Sequence, residues 1–281
     1  MKPKRSRIRG WLLAPFAAYL GLAALVAGCQ RKLIYHPPRL SAEQLRPYQE
    51  RHRLQPWTNA AGLRIGWRRP ARSVNPKAGD WLVLHGNAGS AAGREYIFDP
   101  IQEAVDANVF ILEYPGYADR PGKPSQESLV EAAREGLELI PGRGTVTVVG
   151  ESLGTGVACA LAGSRPDRIR GVLLLVPFRE LAEAAASHYP WLPVRLLLRD
   201  RFPSSEWLTG YRGPLAVVVA GADEVIPPES GRRLFQGYDG PKRLWEFPGE
   251  GHWQGSHRDA AFYREFDGWL RSGAVGSGTS D

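Results

Sequence analysis

The sequence TVTVVGESLG, at residues 145–154, decides the fold. A β-branched apolar run ends abruptly at Gly150, and a helix-compatible stretch follows at residues 155–161. Ser152 lies at the tip of this strand–turn–helix pattern, with a glycine two residues before it and two residues after it. A nucleophilic serine stands exposed on such a strained turn, and small flanking residues let strand and helix approach closely. The pattern predicts a nucleophile at Ser152; an ordinary strand–helix turn with an exposed serine is the alternative.

A serine nucleophile needs a base, and the base needs an acid that orients it. An apolar strand at residues 214–220 ends just before Asp223, and a second strand at residues 243–247 ends shortly before His252. In open α/β sheets, sites form outside the carboxyl ends of the strands. The order serine, acid, histidine therefore predicts that Ser152, Asp223 and His252 form a catalytic triad.

The acid and the base each have an alternative. Asp223 is also placed to cap the helix expected to begin near Pro227, and Glu224 is the competing acid. Among the other histidines, His257 is the main rival of His252, but it starts the last predicted helix and does not end a strand. The other histidines are His36, His52, His85, His188 and His257.

The glycine-containing loop HGNAGS, at residues 85–90, follows another apolar strand. Acyl transfer needs hydrogen-bond donors for the oxyanion that develops in the transition state. We expect the backbone N–H groups of Asn87, with Ala88 as the alternative, and of Leu153 to be these donors. His85 is expected to be structural. The competing interpretation is a phosphate-binding loop, but neither a G-K-[ST] nor a G-x-G-x-x-G pattern follows.

Five motifs, taken in order, carry a family resemblance. The chain resembles the membrane-anchored α/β-hydrolase-fold serine hydrolases close to the serine aminopeptidase and dienelactone hydrolase branches, over roughly residues 50–271. The resemblance implies Ser152 as nucleophile, Asp223 as acid and His252 as base, with an oxyanion hole formed by the backbone of Asn87 and Leu153. The motifs are HGNAGS (85–90), EYPGYADRPGKPS (113–125), GESLG (150–154), GADEVIP (221–227) and GEGHW (249–253).

The alternation of strand and helix patterns predicts an α/β-hydrolase fold, with a mostly parallel central sheet and helices on both faces. We expect one domain at residues 51–271, since a chain of 281 residues that is 43% hydrophobic can bury a proper core. Residues 179–213 interrupt the alternation and predict a short lid insertion; a pair of surface helices is the alternative. Helices are expected at Gln126–Ile140, Pro228–Gly237 and His257–Leu270.

The first 28 residues predict a signal peptide or a membrane anchor. Five basic residues precede the uncharged apolar run Trp11–Ala27, and LVAGC at residues 25–29 resembles a bacterial lipobox. In that case Cys29 is lipidated and becomes the new N-terminus, and residues 29–50 form a linker. The alternative is an uncleaved helix. Both interpretations place the catalytic domain outside the cytoplasm, on the periplasmic side.

Charge and cysteine content argue against several other classes of function. The net charge is +7, but residues 1–28 hold five basic and no acidic residues, which leaves +2 for the remainder. A nucleic-acid partner is therefore not expected. Once Cys29 is acylated, Cys159 is alone, so we expect no disulfide. The sequence has no His/Cys/Asp cluster at metal-ligand spacing, and we expect neither a metal nor a cofactor. The tail at residues 272–281 is expected to be disordered.

These features together predict a membrane-associated, extracytoplasmic serine hydrolase. Its expected substrate is a small-molecule ester or thioester, cleaved through an acyl-enzyme intermediate. Two other hypotheses stay open: an amide hydrolase of the serine aminopeptidase type, and a non-catalytic surface lipoprotein with a degenerate hydrolase fold.

Overall fold

The computed structural model describes residues 5–74, 76, 78–141 and 144–273, with side chains from residue 14 onward. The predicted disordered tail lies outside the described residues from position 274. The strands of the described chain form one eight-stranded sheet. They are β1 (Gln55–Thr58), β2 (Arg64–Arg69), β3 (Asp80–Leu84), β4 (Asn108–Leu112), β5 (Val146–Glu151), β6 (Ile169–Leu175), β7 (Leu215–Ala220) and β8 (Lys242–Phe247).

The strand order is β1-β2-β4-β3-β5-β6-β7-β8. Strands β3 to β8 are mutually parallel, and only β2 runs antiparallel to its neighbours β1 and β4. The register pairs Leu84 at the end of β3 with Gly150 near the end of β5. The oxyanion loop and the turn at Ser152 therefore leave the sheet side by side.

Helices cover both faces of the sheet, as expected for a parallel sheet. Helices α3 and α11 pack on one face, and α4, α5 and α9 pack on the other. All residues of β5 and of β7 are buried as a result. The helices are α1 (Arg5–Ile34), α2 (Ala42–His52), α3 (Glu95–Ala104), α4 (Gln126–Leu139), α5 (Leu153–Ser164), α6 (Leu181–His188), α7 (Val194–Leu197), α8 (Ser204–Trp207), α9 (Pro228–Gln236), α10 (His252–Ser256) and α11 (Ala260–Arg271).

The sequence analysis correctly predicted the fold class, while some element boundaries differ. The last helix begins at Ala260, because the Asp259 side chain accepts the N–H of Phe262 and caps the helix there. His257 instead ends the short helix α10. The insertion at 179–213 contains α6, α7 and α8. Helix α8 packs against α5. Within the insertion, α6 and α7 are therefore the candidates for the predicted lid.

The N-terminal region is more regular than the sequence suggested. Helix α1 continues through Cys29 to Ile34, and α2 begins at a capping box in which Ser41 and Gln44 exchange hydrogen bonds. Residues 29–50, the expected linker, are therefore mostly helical. Within the described part of the chain, no helix is both long and apolar enough to cross a membrane.

Candidate active site

Ser152 occupies a strained turn between β5 and α5. Its backbone has φ +50° and ψ −115°, a conformation that residues other than glycine rarely adopt. The two flanking glycines have no room for a side chain. A Cβ at Gly150 would lie 2.7 Å from the Gly154 carbonyl oxygen, and a Cβ at Gly154 would lie 2.0 Å from that of Leu84. This close packing holds the Ser152 hydroxyl clear of the strand.

The structure brings Ser152, His252 and Asp223 into one hydrogen-bonded chain. His252 Nε2 lies 3.0 Å from Ser152 Oγ, and His252 Nδ1 lies 2.7 Å from Asp223 Oδ2. A carboxylate can only accept, so Nδ1 carries the proton and Nε2 is free to accept the serine proton. The Asp223 side chain is buried, while the His252 ring is partly exposed. The imidazole is thus fixed on one side and accessible on the other.

The two oxygens of Asp223 have separate partners, and neither caps α9, whose N-cap is Pro227 without a side-chain hydrogen bond. Its Oδ1 accepts the N–H groups of Val225 and Ile226, each at 2.8 Å, while Oδ2 receives the histidine. The first set of bonds orders the turn that leads into α9 and aims the second oxygen at His252. Glu224, the competing acid, is exposed to solvent.

The other candidate histidines have partners that do not include Ser152 or Asp223. His85 is fully buried and donates from Nδ1 to the Gly86 carbonyl, with Nε2 3.4 Å from Glu113. His188 donates to the Val225 carbonyl, and the His257 ring stacks on Tyr96. In this structure only His252 bridges a serine and a carboxylate among the described histidines.

The predicted oxyanion donors face the same cavity as the nucleophile. Asn87, Ser152 and Leu153 all line it. Leu153 is the first residue of α5, so the positive end of the helix dipole points at the site. Ala88, the alternative donor, is not among the described residues that line the cavity. Of the two candidates in this loop, Asn87 is the one that borders the cavity.

A buried ionic network beneath the oxyanion loop was missed by the sequence analysis. Glu151, directly before the nucleophile, accepts the N–H of Gly86 at 3.1 Å, the Arg94 Nε at 2.9 Å and the Tyr96 hydroxyl at 2.7 Å. Arg94 also donates to the Ala88 carbonyl. The sequence did contain a signal for this network, because Glu151 is a charged residue at the end of an otherwise apolar strand.

Electrostatics keeps this network charged. Burial raises the pKa of Glu151, but the Arg94 guanidinium, the Tyr96 hydroxyl and the Gly86 N–H more than offset it, so the pKa is lowered overall. For Arg94, burial lowers the pKa and the Glu151 carboxylate raises it, with a net rise. The pair therefore remains ionised near neutral pH and holds the oxyanion loop against the elbow.

An apolar cavity of about 260 Å³ opens at Ser152. Its walls come from α1, the α6–α7 segment and the turn after Asp223. The described lining residues include no Asp, Glu, Lys or Arg, and among the described residues no cluster of three or more His, Cys, Asp or Glu side chains is placed to hold a metal ion. Representative lining residues are Ala27, Ile34, Phe178, Ala185, Leu197 and Ile226.

Sequence comparison gives a family and close relatives. A family model described as alpha/beta hydrolase fold matches residues 82–205. The chain is 34% identical over 241 residues to "Uncharacterized protein Rv2307c" of Mycobacterium tuberculosis, which covers 83% of each protein. It is also 28% identical over 165 residues to "Protein bem46" of Schizosaccharomyces pombe, covering 55% of this chain and 54% of that one.

Solved structures share the fold at low sequence identity. A monoacylglycerol lipase of Paleococcus ferrophilus is 22% identical with a TM-score of 0.53, and the match covers 73% of this chain and 97% of that one. Est1E of Butyrivibrio proteoclasticus, solved with ferulic acid bound, is 14% identical with a TM-score of 0.58, and the match covers 78% and 98%. At these identities the likeness establishes the architecture alone.

Proposed function

Because the chain belongs to the alpha/beta-hydrolase fold family, we propose that it is a serine hydrolase that cleaves a carboxylic ester or thioester. The observation that carries this proposal is the hydrogen-bonded chain from Ser152 through His252 to Asp223. The order of the three residues and their placement after β5, β7 and β8 support it. The lipase and esterase folds among the structural neighbours are consistent with it.

The proposed first half-reaction forms an acyl-enzyme. Ser152 Oγ attacks the carbonyl carbon while His252 Nε2 takes the hydroxyl proton, and Asp223 stabilises the imidazolium that results. The oxyanion receives the backbone N–H groups of Asn87 and Leu153, each worth about 3 kcal/mol in such sites. His252 then gives its proton to the leaving alcohol or thiol as the bond to the carbonyl carbon breaks.

The second half-reaction regenerates the serine. Water gives a proton to His252 and attacks the acyl carbon, and the proton passes to Ser152 Oγ as the carboxylic acid leaves. No further group is needed for proton balance.

Ester cleavage is favoured over cleavage of a peptide at its amino terminus. An aminopeptidase has to receive a free ammonium group next to the scissile bond, which calls for a carboxylate partner. The described residues that line the cavity supply none. The resemblance to the serine aminopeptidase branch therefore extends, in our proposal, to the fold and the triad but not to the substrate.

A fluorophosphonate probe tests the proposal, because it labels only an activated serine. We expect the intact chain to be labelled and Ser152→Ala to remain unlabelled. The Ser90→Ala variant, at the end of the oxyanion loop, is the control and should label normally. An intact chain that refuses the probe, or equal labelling of Ser152→Ala, would show that the fold is used here without catalysis.

Acidification provides a second test. A protonated His252 cannot accept the proton of Ser152, so a histidine base predicts that hydrolysis falls on acidification. The measurement is the rate of ester hydrolysis between mildly acidic and neutral pH. A flat profile would contradict a histidine base.

We also propose that the chain is held at a membrane, with its catalytic domain on the extracytoplasmic side. The basic N-terminal residues and apolar run support this, as do the exposed apolar side chains of Phe16, Leu20 and Leu25 on α1. Protease added to bacterial spheroplasts that express the full chain should digest the catalytic domain. Protection from the protease until the cells are lysed would overturn the proposed location.

A further inference from the structure

One face of α1 packs against the α6–α7 segment of the insertion. Ala23 and Gln30 are buried, and Val26, Ala27 and Ile34 are half-buried. These five positions follow the spacing i, i+3, i+4, i+7 and i+11, which places them on one side of a helix. Four of them (Val26, Ala27, Gln30 and Ile34) line the cavity at Ser152. The region that the sequence assigned to targeting thus borders the candidate active site.

Specific polar contacts hold this face in place. Arg31 donates to Asp200 from Nε at 3.0 Å and from Nη2 at 3.3 Å, and the Tyr35 hydroxyl donates to the same carboxylate at 2.9 Å. Gln30 donates to the Leu197 carbonyl at 3.2 Å and accepts the N–H of Arg199 at 2.7 Å. Asp200 and Tyr35 are buried. Charge-assisted and buried hydrogen bonds of this kind fix the position of α1 relative to the insertion.

The end of α1 is also joined to the oxyanion loop. The Asn87 side chain donates to the Ile34 carbonyl at 3.0 Å, and the N–H of His36 donates to the Asn87 carbonyl at 2.9 Å. The Tyr117 hydroxyl donates to that same carbonyl at 2.8 Å. The segment that forms the cavity wall therefore also supports the loop expected to bind the oxyanion.

We infer that the face of α1 formed by Ala23, Val26, Ala27, Gln30 and Ile34 is a wall of the acyl-binding cavity and that, with α6 and α7, it selects a fatty acyl group. This inference rests on the proposed ester hydrolysis. The described cavity lining is mostly apolar and includes no Asp, Glu, Lys or Arg, so burial there favours a hydrocarbon chain over a charged acyl group. A hydrocarbon chain gains free energy from the same burial, and each added methylene group increases the gain.

This inference has a consequence for the N-terminus. Ala23, Val26 and Ala27 precede Cys29, so cleavage before Cys29 would remove half of the wall. The wall exists only in a chain that keeps α1. On this inference α1 is retained in the working protein.

Chain-length selectivity tests the wall. Ala27→Phe fills the cavity, and Ala24→Phe places the same side chain at an exposed position of the same helix as the control. With p-nitrophenyl acetate, butyrate, octanoate and palmitate as substrates, we expect Ala27→Phe to lower kcat/KM for octanoate and palmitate at least about tenfold relative to acetate. Ala24→Phe should leave the ratio unchanged. An unchanged ratio in Ala27→Phe, or an equal change in Ala24→Phe, would overturn the inference.

Two further measurements separate this inference from the proposed function. Fluorophosphonate labelling of Ser152 in Ala27→Phe shows whether the variant is folded and its nucleophile is active. Binding of a fluorescent long-chain fatty acid to Ser152→Ala, and its loss in the Ser152→Ala/Ala27→Phe double variant, reports on the wall without turnover. If the intact chain neither labels nor hydrolyses esters but the fatty acid still binds in this way, the proposed function fails and the wall stands.

The purified full chain from a bacterial host gives the last test. Mass spectrometry of its N-terminal peptide should find residues upstream of Ala23. A chain that begins at an acylated Cys29 would overturn the retained wall. A Cys29→Ser variant should keep the same N-terminus and the same ester selectivity.

Discussion

The elbow at Ser152 and the wall formed by α1 and the α6–α7 segment border the same cavity but are built differently. At the elbow, backbone packs on backbone, and a Cβ at Gly154 would lie 2.0 Å from a carbonyl oxygen. In α1, side chains make the contacts that hold the wall in place, and a Cβ at Gly28, on the exposed side of that helix, would meet nothing within 4 Å. Chemistry requires atoms placed to within a fraction of an ångström, whereas recognition of a hydrocarbon chain requires only shape and the absence of charge.

Substitution of Asp223 is expected to have the largest effect. Asp223→Asn keeps an acceptor for the turn that leads into α9 but cannot stabilise the imidazolium, so kcat should fall roughly 10⁴-fold. Steady-state hydrolysis of a short ester is the measurement. Glu224→Gln, one residue away and exposed, should leave kcat unchanged. Similar losses in the two variants would show that the acid has been assigned incorrectly.

Removal of the charge on Glu151 tests how the elbow and the oxyanion loop are joined. Glu151→Gln leaves the buried Arg94 without its counter-charge, so the free energy of unfolding at neutral pH should fall by about 3 kcal/mol. Because the pKa of Glu151 is lowered in the folded protein, its stabilisation is present above its ordinary value of 4.5 and is lost as the pH falls further.

Urea denaturation at a series of pH values measures this difference. The gap between the intact chain and Glu151→Gln should be largest near neutrality and should shrink below about pH 4.5. The exposed Glu224→Gln serves again as the reference. A gap that does not change with pH would mean that the carboxylate acts through packing and not through its charge.

Addition of a methyl group to the elbow should lower activity less than substitution of Asp223 does. It should also lower the stability of the fold. Gly154→Ala would force apart α5 and β3, and we expect the free energy of unfolding to fall by about 3 kcal/mol, together with activity. Thermal unfolding and fluorophosphonate labelling report the two effects. Normal stability in this variant would contradict the close packing of Gly154 against the Leu84 carbonyl.

A glycine-to-alanine substitution on the exposed side of α1 is expected to have the smallest effect. Gly28→Ala places its methyl group in open space on α1 and replaces a poor helix former, so stability should rise by up to about 1 kcal/mol. Hydrolysis of short esters should not change. A loss of stability comparable with that of Gly154→Ala would remove the distinction between the two regions.

Much of the elbow was predictable because its determinants are local. The strand–turn–helix pattern around Ser152 and the strand ends before Asp223 and His252 are visible in single stretches of sequence. Parallel strands share one edge, so residues at their carboxyl ends converge without any knowledge of packing. Glu151 was missed because its partners, Arg94 and Tyr96, lie more than fifty residues away in the sequence.

The wall could not be predicted, for a similar reason. The apolar run before Cys29 has the composition of a targeting segment, and composition does not show what a helix packs against. The contact of Arg31 and Tyr35 with Asp200 spans more than 160 residues of sequence. The linker expected at residues 29–50 likewise turned out helical once capping and tertiary contacts were in place.

The sequence by itself determined the α/β-hydrolase architecture, the three candidate catalytic residues and their order, since hydrophobic periodicity and turn chemistry are encoded in neighbouring residues. Only the tertiary structure decided how Asp223 divides its two oxygens between a turn and a ring, and that α1 faces the cavity. Those outcomes depend on contacts between distant segments, and such contacts exist only when the sheet has brought the segments together.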